Sequence, residues 1–153
     1  MVIKLNKKLL VLFLLCAVLS ASVAFASETV EVEGLYFNIP SGFEESTDHV
    51  KINETYDADG KDGFQTQHLY STGTADVIGI EIYNEPGSTE TTNTMYKIKS
   101  DGNDPLTVNG VEGYWEESIG GKSFNYFKDG KCVTVVVPSQ EILDEIIINP
   151  DDI

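Results

Sequence analysis

The clearest secondary-structure pattern in the chain lies between Val111 and Val137, where the sequence reads VEGYWEESIGGKSFNYFKDGKCVTVVV. β-Branched and aromatic residues, which favour strands, fill three segments of this stretch. The segments are separated by Gly120-Gly121 and Asp129-Gly130, and such pairs favour tight hairpin turns. The pattern predicts a three-stranded antiparallel meander with strands at Val111–Ile119, Lys122–Lys128 and Lys131–Val137.

The last of these strands is apolar on both faces. One face of this strand carries Val133, Val135 and Val137, and the other carries Cys132, Thr134 and Val136. A strand that buries both faces occupies the centre of a sheet that is covered on both sides. We therefore expect this strand to lie at the centre of the sheet.

Three more strands are predicted before the meander. Ala75 to Asn84 places Ile78, Ile80 and Ile82 on one face, as expected for a half-buried strand. Phe64 to Ser71 precedes it at hairpin distance and is predicted to be its partner. Leu35 to Ile39, followed by a Pro-Ser-Gly turn, is predicted to be the opening strand.

Two segments are predicted to be helical. Ser139 to Ile148 begins with a good N-cap residue, has Glu141 in the first turn, and stops at Asn149-Pro150. Its apolar face consists of Ile142, Leu143, Ile146 and Ile147. Glu90 to Lys99 has Met95 and Ile98 at helical spacing, although its threonines disfavour a helix. Separate helices and antiparallel strands indicate an α+β domain in which a C-terminal helix and one further helix flank the sheet.

The first 26 residues have the organisation of a secretory signal peptide. Lys4, Lys7 and Lys8 precede an unbroken apolar run from Leu9 to Leu19, and the segment ends in Ala24-Phe25-Ala26. A basic start, an apolar middle and an A-x-A end are the three parts of such a signal. We expect cleavage after Ala26 and export of one domain formed by residues 27–153 to the cell exterior.

There are two alternatives to cleavage after Ala26. Leu9 to Ala26 contains eighteen mostly apolar residues, near the lower limit of about 17 for a spanning helix, so the segment could stay as an anchor. Lipidation at Cys16 is disfavoured, because Leu15 precedes it and lipoprotein signals have a small residue there. Either alternative still places the domain outside the membrane and confines membrane contact to the N-terminal segment.

The charge of the chain is strongly acidic. Residues 27–153 hold all 25 acidic residues and seven lysines, which gives a formal net charge of −18, and the chain has no arginine. Nucleic acids and anionic lipid surfaces would repel such a domain. The acids are dispersed along the chain, which is typical of a solubilising surface; attraction of cations or basic partners is the functional alternative.

The most suggestive site motif is Asp57-Ala58-Asp59-Gly60-Lys61-Asp62-Gly63. Ca²⁺ prefers several carboxylate oxygens on a tight glycine-containing loop, and Asp57, Asp59 and Asp62 could supply three. An EF-hand loop would need an oxygen ligand where Lys61 stands and a glutamate where His68 stands. The alternative is a solvated hairpin turn, which Asp-Gly pairs form by themselves.

Other chemistry is weakly indicated. His49, His68 and Cys132 do not have zinc-site spacing, and Cys132 is predicted to be a buried apolar residue. No Gly-x-Ser-x-Gly elbow or glycine-rich phosphate loop is present. Asn53-Glu54-Thr55 is a glycosylation sequon and suggests that this stretch is exposed.

A resemblance to a fold family rests on two short motifs. The sequence from Tyr36 to Phe43, YFNIPSGF, resembles the start of PsbP-like domains, an aromatic residue followed by Ile-Pro and Gly-aromatic. Asn109 to Gly113, followed by the predicted meander and closing helix, is similar to the same group and to small exported prokaryotic domains. The resemblance covers residues 30–148 and implies an antiparallel sheet between helices, in an α/β/α sandwich with a binding or scaffolding role. It implies no catalytic residues.

Three functions are compatible with the sequence. The leading hypothesis is an exported, non-enzymatic domain that binds or assembles with an extracellular protein or a cell-envelope component and needs no cofactor. The second is a calcium-dependent binding or adhesion module that uses the Asp57–Asp62 loop. The third is a small secreted hydrolase with a carboxylate pair, although no pair stands out in the sequence.

Overall fold

The computed structural model describes residues 27–118 and 121–149. The predicted signal peptide at 1–26, the Ile119-Gly120 part of the first meander turn, and the helix stop at Pro150 lie outside the described residues. Ten strands, two α-helices and one 3₁₀ turn at Thr47–His49 are described. The strands are β1 (Glu28–Val32), β2 (Leu35–Ile39), β3 (Glu44–Glu45), β4 (Lys51–Asp57), β5 (Asp62–Ser71), β6 (Val77–Asn84), β7 (Asp104–Val108), β8 (Val111–Ser118), β9 (Gly121–Lys128) and β10 (Lys131–Val137), and the helices are α1 (Thr94–Ser100) and α2 (Gln140–Ile146).

The strands form one large antiparallel sheet and one separate hairpin. The large sheet has the order β3-β5-β6-β10-β9-β8-β7, and β4 pairs with β5 beside β3. All pairings described are antiparallel, and β1 pairs only with β2 in the hairpin. The α+β class with a mostly antiparallel sheet is therefore confirmed. The predicted pairing of Phe64–Ser71 with the following strand is also confirmed.

One face of the large sheet is covered by the β1–β2 hairpin and by α2. Ile78, Ile80 and Ile82 point to this face and are fully buried there with Phe37 of the hairpin and Leu143 of α2. The apolar face of β6, which repeats every two residues, and the apolar face of α2 thus pack together in one core, as expected for two amphipathic elements.

The opposite face carries a second, smaller cluster beneath α1. Its buried members are Tyr83, Tyr96 and Cys132, and Tyr56, Met95, Tyr114 and Phe127 pack against them. The central strand β10 therefore contributes Val133 and Val135 to the first core and Cys132 to the second. Burial raises the pKa of the Cys132 thiol to about 12, so the thiol stays protonated and inert, as predicted for a buried apolar residue.

The predicted strand at Leu35–Ile39 is confirmed as β2, but it does not open the fold, because β1 precedes it. In Glu28–Val32 the charged residues hide the alternation of apolar and polar side chains that marks a strand. Val30 and Val32 nevertheless pack against the core, whereas Glu28 and Glu31 do not. Strands β3, β4 and β7 were also not predicted. Most of β4 is exposed, and β7 contains Pro105 and lies at the sheet edge, where proline is tolerated.

Both helix boundaries differ from the predicted ones. The helix predicted from Glu90 begins at Thr94, because the Asn93 side chain accepts a hydrogen bond from Tyr96 N (2.9 Å) and the threonines before it form turns. In α2 the predicted N-cap Ser139 is confirmed. The helix ends at Ile146, two residues before the predicted end, because Ile147 forms a β-bridge with Phe37. Among the described residues, no helix has the length and apolar character needed to cross a membrane.

Candidate functional site

The predicted calcium loop is a two-residue hairpin turn between β4 and β5. Ala58 and Lys61 exchange backbone hydrogen bonds of 2.8 and 3.3 Å, and Asp59 and Gly60 at the tip both have positive φ (55° and 81°). Positive φ at both central positions is the geometry of a type I′ turn, which Asp-Gly pairs favour. The motif is thus explained locally as a hairpin turn.

The three aspartates of this turn do not form a cation cage. Asp57 and Asp62 face each other across the ladder, and Asp57 Oδ1 accepts a hydrogen bond from Gly60 N at 2.7 Å. Within residues 27–118 and 121–149, no group of three or more His, Cys, Asp or Glu side chains is placed to hold a metal ion. Calcium binding at this turn stays a prediction, and the present geometry does not favour it.

Calcium is expected to leave the stability of the domain unchanged. A ligand that binds only the folded state stabilises it by RT ln(1 + [L]/Kd), or about 2.7 kcal/mol at a hundredfold excess over Kd. Thermal melting of residues 27–153 with 1 mM EDTA and with 5 mM Ca²⁺, at matched ionic strength, measures this term. A calcium-dependent rise in Tm that D59N abolishes, and that Mg²⁺ does not reproduce, would contradict this expectation.

The two histidines lie in different elements. His68 on β5 lies beside Glu45 of β3, with 2.5 Å between Nδ1 and the carboxylate oxygen. His49 ends the short 3₁₀ turn. The His68–Glu45 contact links the two-residue strand β3 to the sheet, which gives this histidine a structural role.

One cavity of the described part of the chain is a groove with a volume of about 570 Å³. We call it the terminal groove. It lies between the β1–β2 hairpin, the turn that joins β7 to β8, and the C-terminal end of α2. Its lining residues are Thr29, Tyr36, Asn38, Asn109, Asp144, Glu145, Ile147, Ile148 and Asn149.

Two sets of contacts hold the walls of the terminal groove in place. The Asn109 side-chain amide donates to the carbonyl oxygens of Asp144 (2.9 Å) and Ile147 (2.7 Å), which satisfies the end of α2. Phe37 pairs with Ile147, and Thr29 Oγ1 donates to Asn38 Oδ1 at 2.8 Å. The groove is therefore built into the fold from segments far apart in sequence.

The electrostatic character of the terminal groove is negative. Asp144 and Glu145 are exposed, and neither belongs to an ion pair within the described part of the chain. The last turn of α2 carries no basic residue, although a helix C-terminus favours cations. Tyr36 adds an aromatic ring that is 41 % exposed at the rim. A positively charged or hydrogen-bond-donating ligand suits this lining.

A second polar crevice lies between the β4–β5 turn and the start of α1, with a volume of about 390 Å³. Its floor contains Glu85, which is only 8 % exposed. The Glu85 carboxylate accepts hydrogen bonds from Thr94 N (2.8 Å), Met95 N (3.0 Å) and the Tyr56 hydroxyl (3.0 Å). These internal partners occupy the carboxylate, so Glu85 holds the helix in place and is not directed at a ligand.

Sequence reasoning missed the terminal groove and Glu85. In the sequence these positions belong only to the short PsbP-like motifs, which contain Tyr36, Asn38 and Asn109 and give no sign of a groove. Asp144 and Glu145 lay on the outer face of a predicted helix and had no distinguishing pattern. The one available signal was the absence of any basic residue near the end of that helix.

No family model, no curated protein and no solved structure matches this chain.

Proposed function

We propose that the chain is an exported, non-enzymatic binding domain that recognises a positively charged segment of an extracellular protein or cell-envelope component in the terminal groove. The observation that carries this proposal is the pair of exposed carboxylates, Asp144 and Glu145, which line the same groove as the exposed ring of Tyr36 and form no ion pair among the described residues. Carboxylates and an aromatic face together are suited to ammonium and guanidinium groups.

The charge of the whole domain supports a basic partner. Residues 27–153 carry a formal net charge of −18, which attracts cations over a distance and raises association rates. Lys99, paired with Glu116, and Lys122, paired with Glu117, do not line the groove. The terminal groove thus adds a specific binding site to the attraction that the net charge of the domain exerts on cations.

The architecture proposed for this role is a PsbP-like α/β/α sandwich that includes the C-terminal meander. Its support is the placement of α2 and the hairpin on one face and of α1 on the other. The antiparallel pairing of β8 with β9 and of β9 with β10 supports the meander. A rigid sheet of this kind would keep the groove walls at a fixed distance.

The proposal is tested with an octalysine peptide as the probe. Amide shifts in the ¹⁵N-labelled domain (residues 27–153) are expected to cluster at Tyr36, Asn38, Asp144 and Glu145. The double substitution D144N/E145Q is expected to weaken binding on the order of tenfold, because two partly exposed charge contacts of about 0.5–1 kcal/mol each are lost. The Y36A variant is expected to weaken binding by a smaller factor.

The matched control is E44Q/D76N, which removes the same charge from exposed positions outside the groove. It should retain wild-type affinity apart from a small salt-dependent change. Equal weakening by both double variants, or shifts spread evenly over the surface, would mean that only the general charge attracts the peptide. Robust turnover of ester, glycoside or peptide substrates by the purified domain would overturn the non-enzymatic part.

A further inference from the structure

We propose that Asn53 is a site of N-linked glycosylation and that the glycan covers the open edge of the sheet along β4. The inference rests on export of the domain, which is part of the proposed function. It does not depend on what the terminal groove binds.

The first observation is the sequon itself. Asn53-Glu54-Thr55 is the only place in the chain where an asparagine is followed two residues later by serine or threonine. All three of its residues are exposed. A transferase needs both the asparagine amide and the threonine hydroxyl within reach, and this exposure provides them.

The second observation is the local backbone. The register of β4 against β5 shifts between Lys51 and Glu54, so Ile52 and Asn53 form an irregularity of the strand. Asn53 has a φ of 51°, and its backbone N–H donates to Thr66 Oγ1 at 3.3 Å instead of to a ladder carbonyl. Its side-chain amide takes part in no hydrogen bond within the described residues, so attachment of a sugar there breaks no contact.

The third observation gives the glycan a role. In the part of the chain that the structure describes, strand β4 pairs only with β5 and leaves its outer edge open. Ile52, next to the sequon, is 57 % exposed. An open strand edge with an exposed apolar side chain is a site where chains pair with one another, and natural proteins cover or interrupt such edges. The strand irregularity interrupts this edge, and a glycan on Asn53 would cover it.

The reaction is a single group transfer. The Asn53 side-chain nitrogen forms a bond to the anomeric carbon of a lipid-diphosphate-linked oligosaccharide, and the bond from that carbon to the diphosphate oxygen breaks. The lipid diphosphate leaves with the electron pair, and the transferase takes up the amide proton. The residues that line the terminal groove include none from β4, so the glycan and a groove ligand are compatible.

The first arm of the test is mass spectrometry of the protein isolated from the medium or envelope of its own cells. Trypsin cleaves after Lys51 and Lys61 and releases a single peptide that contains Asn53. We expect this peptide as a glycopeptide, which an amidase in H₂¹⁸O converts to an ¹⁸O-labelled aspartate form. Recovery of the peptide only in its unmodified form from the exported protein would overturn the proposal.

The second arm uses the full chain translated with microsomes. Wild type and T55S are expected to give a protease-protected, slower-migrating band that endoglycosidase shifts back, whereas N53Q and T55A are expected to give only the faster protected band. If wild type is protected but migrates like N53Q, export stands and glycosylation fails. If no protected band forms in any variant, export itself fails, and with it both proposals.

Discussion

Replacing Gly113 by alanine is expected to destabilise the domain by about 3 kcal/mol, and to lower Tm by about 10 °C in a domain of this size. Gly113 is a buried residue of β8 that faces Leu106 and Tyr126 on the two neighbouring strands. A Cβ atom there would lie 2.8 Å from the Phe124 ring and closer still to the carbonyl oxygen of Asn125. Phe124 is fully buried and the carbonyl belongs to the ladder, so neither can move away cheaply.

The matched control for this substitution is Gly79→Ala. Gly79 is also a buried strand glycine with ordinary backbone angles, but the atoms nearest to its Cβ would be side-chain atoms of Val136, at 3.3 Å, and of Leu69, at 3.8 Å. These side chains can adjust by a few tenths of an ångström, so the cost should be under about 1 kcal/mol. Urea unfolding of both variants measures the difference. Equal stability of G113A and G79A would show that β8 and β9 are not packed as described.

Replacing Glu85 by alanine is the second change with a large expected effect, a loss of about 2–3 kcal/mol in the free energy of unfolding. The substitution leaves Thr94 N–H and Met95 N–H without their acceptor and removes the partner of the Tyr56 hydroxyl. These groups are partly buried, and a partly buried donor without an acceptor carries part of its desolvation cost. The near-ultraviolet circular dichroism of the tyrosine cluster beneath α1 should weaken as well.

The contribution of Glu85 should depend on pH in a defined direction. Burial raises the pKa of this carboxyl, but the hydrogen bonds from Thr94, Met95 and Tyr56 outweigh burial and hold the pKa below its ordinary value of 4.5. A carboxyl with a lowered folded-state pKa stabilises the protein above its unfolded pKa and loses that stabilisation as the pH falls through the folded pKa. The stability difference between wild type and E85Q should therefore be full at pH 7 and shrink below pH 4.5.

Glu90→Gln is the control for the Glu85 variants. Glu90 lies in the same connecting segment, is exposed, and makes one long hydrogen bond of 3.4 Å from the Tyr96 hydroxyl. Its substitution should change stability by less than about 0.5 kcal/mol at any pH. A pH-independent effect of E85Q, or an equal effect of E90Q, would exclude a special role for the Glu85 carboxylate.

Much of the fold could be predicted because short-range patterns specify it. Ile78, Ile80 and Ile82 alternate with polar or small residues, and all three are fully buried on one face of β6. Ser139 was predicted to cap a helix, and its hydroxyl lies 3.5 Å from Ile142 N. Hydrophobic periodicity and helix capping each depend on residues a few positions apart, so both can be recognised in a single sequence.

The elements that were missed depend on partners far away in the chain. Strand β1 was missed because charged residues interrupt it, and it is held by β2 and by the core that β2 reaches. The end of α2 depends on Asn109 and Phe37, which lie 35 or more residues earlier. The Asn93 cap at the start of α1 is a local signal, but the Glu85 carboxylate that accepts from Thr94 N lies nine residues away and outside any helix pattern. Local propensity does not contain this information.

The candidate site also combines features that the sequence specifies with features that depend on the tertiary structure. The sequence alone determined the α+β class, the excess of negative charge, the hairpin turn at Asp59-Gly60 and the sequon at Asn53, because each is a property of composition or of neighbouring residues. Only the tertiary structure brought Tyr36 and Asn38 to the same groove as Asp144 and Glu145, more than 100 residues later. Packing of the hairpin and α2 on one face of the sheet creates that groove, and packing is a property of the assembled core.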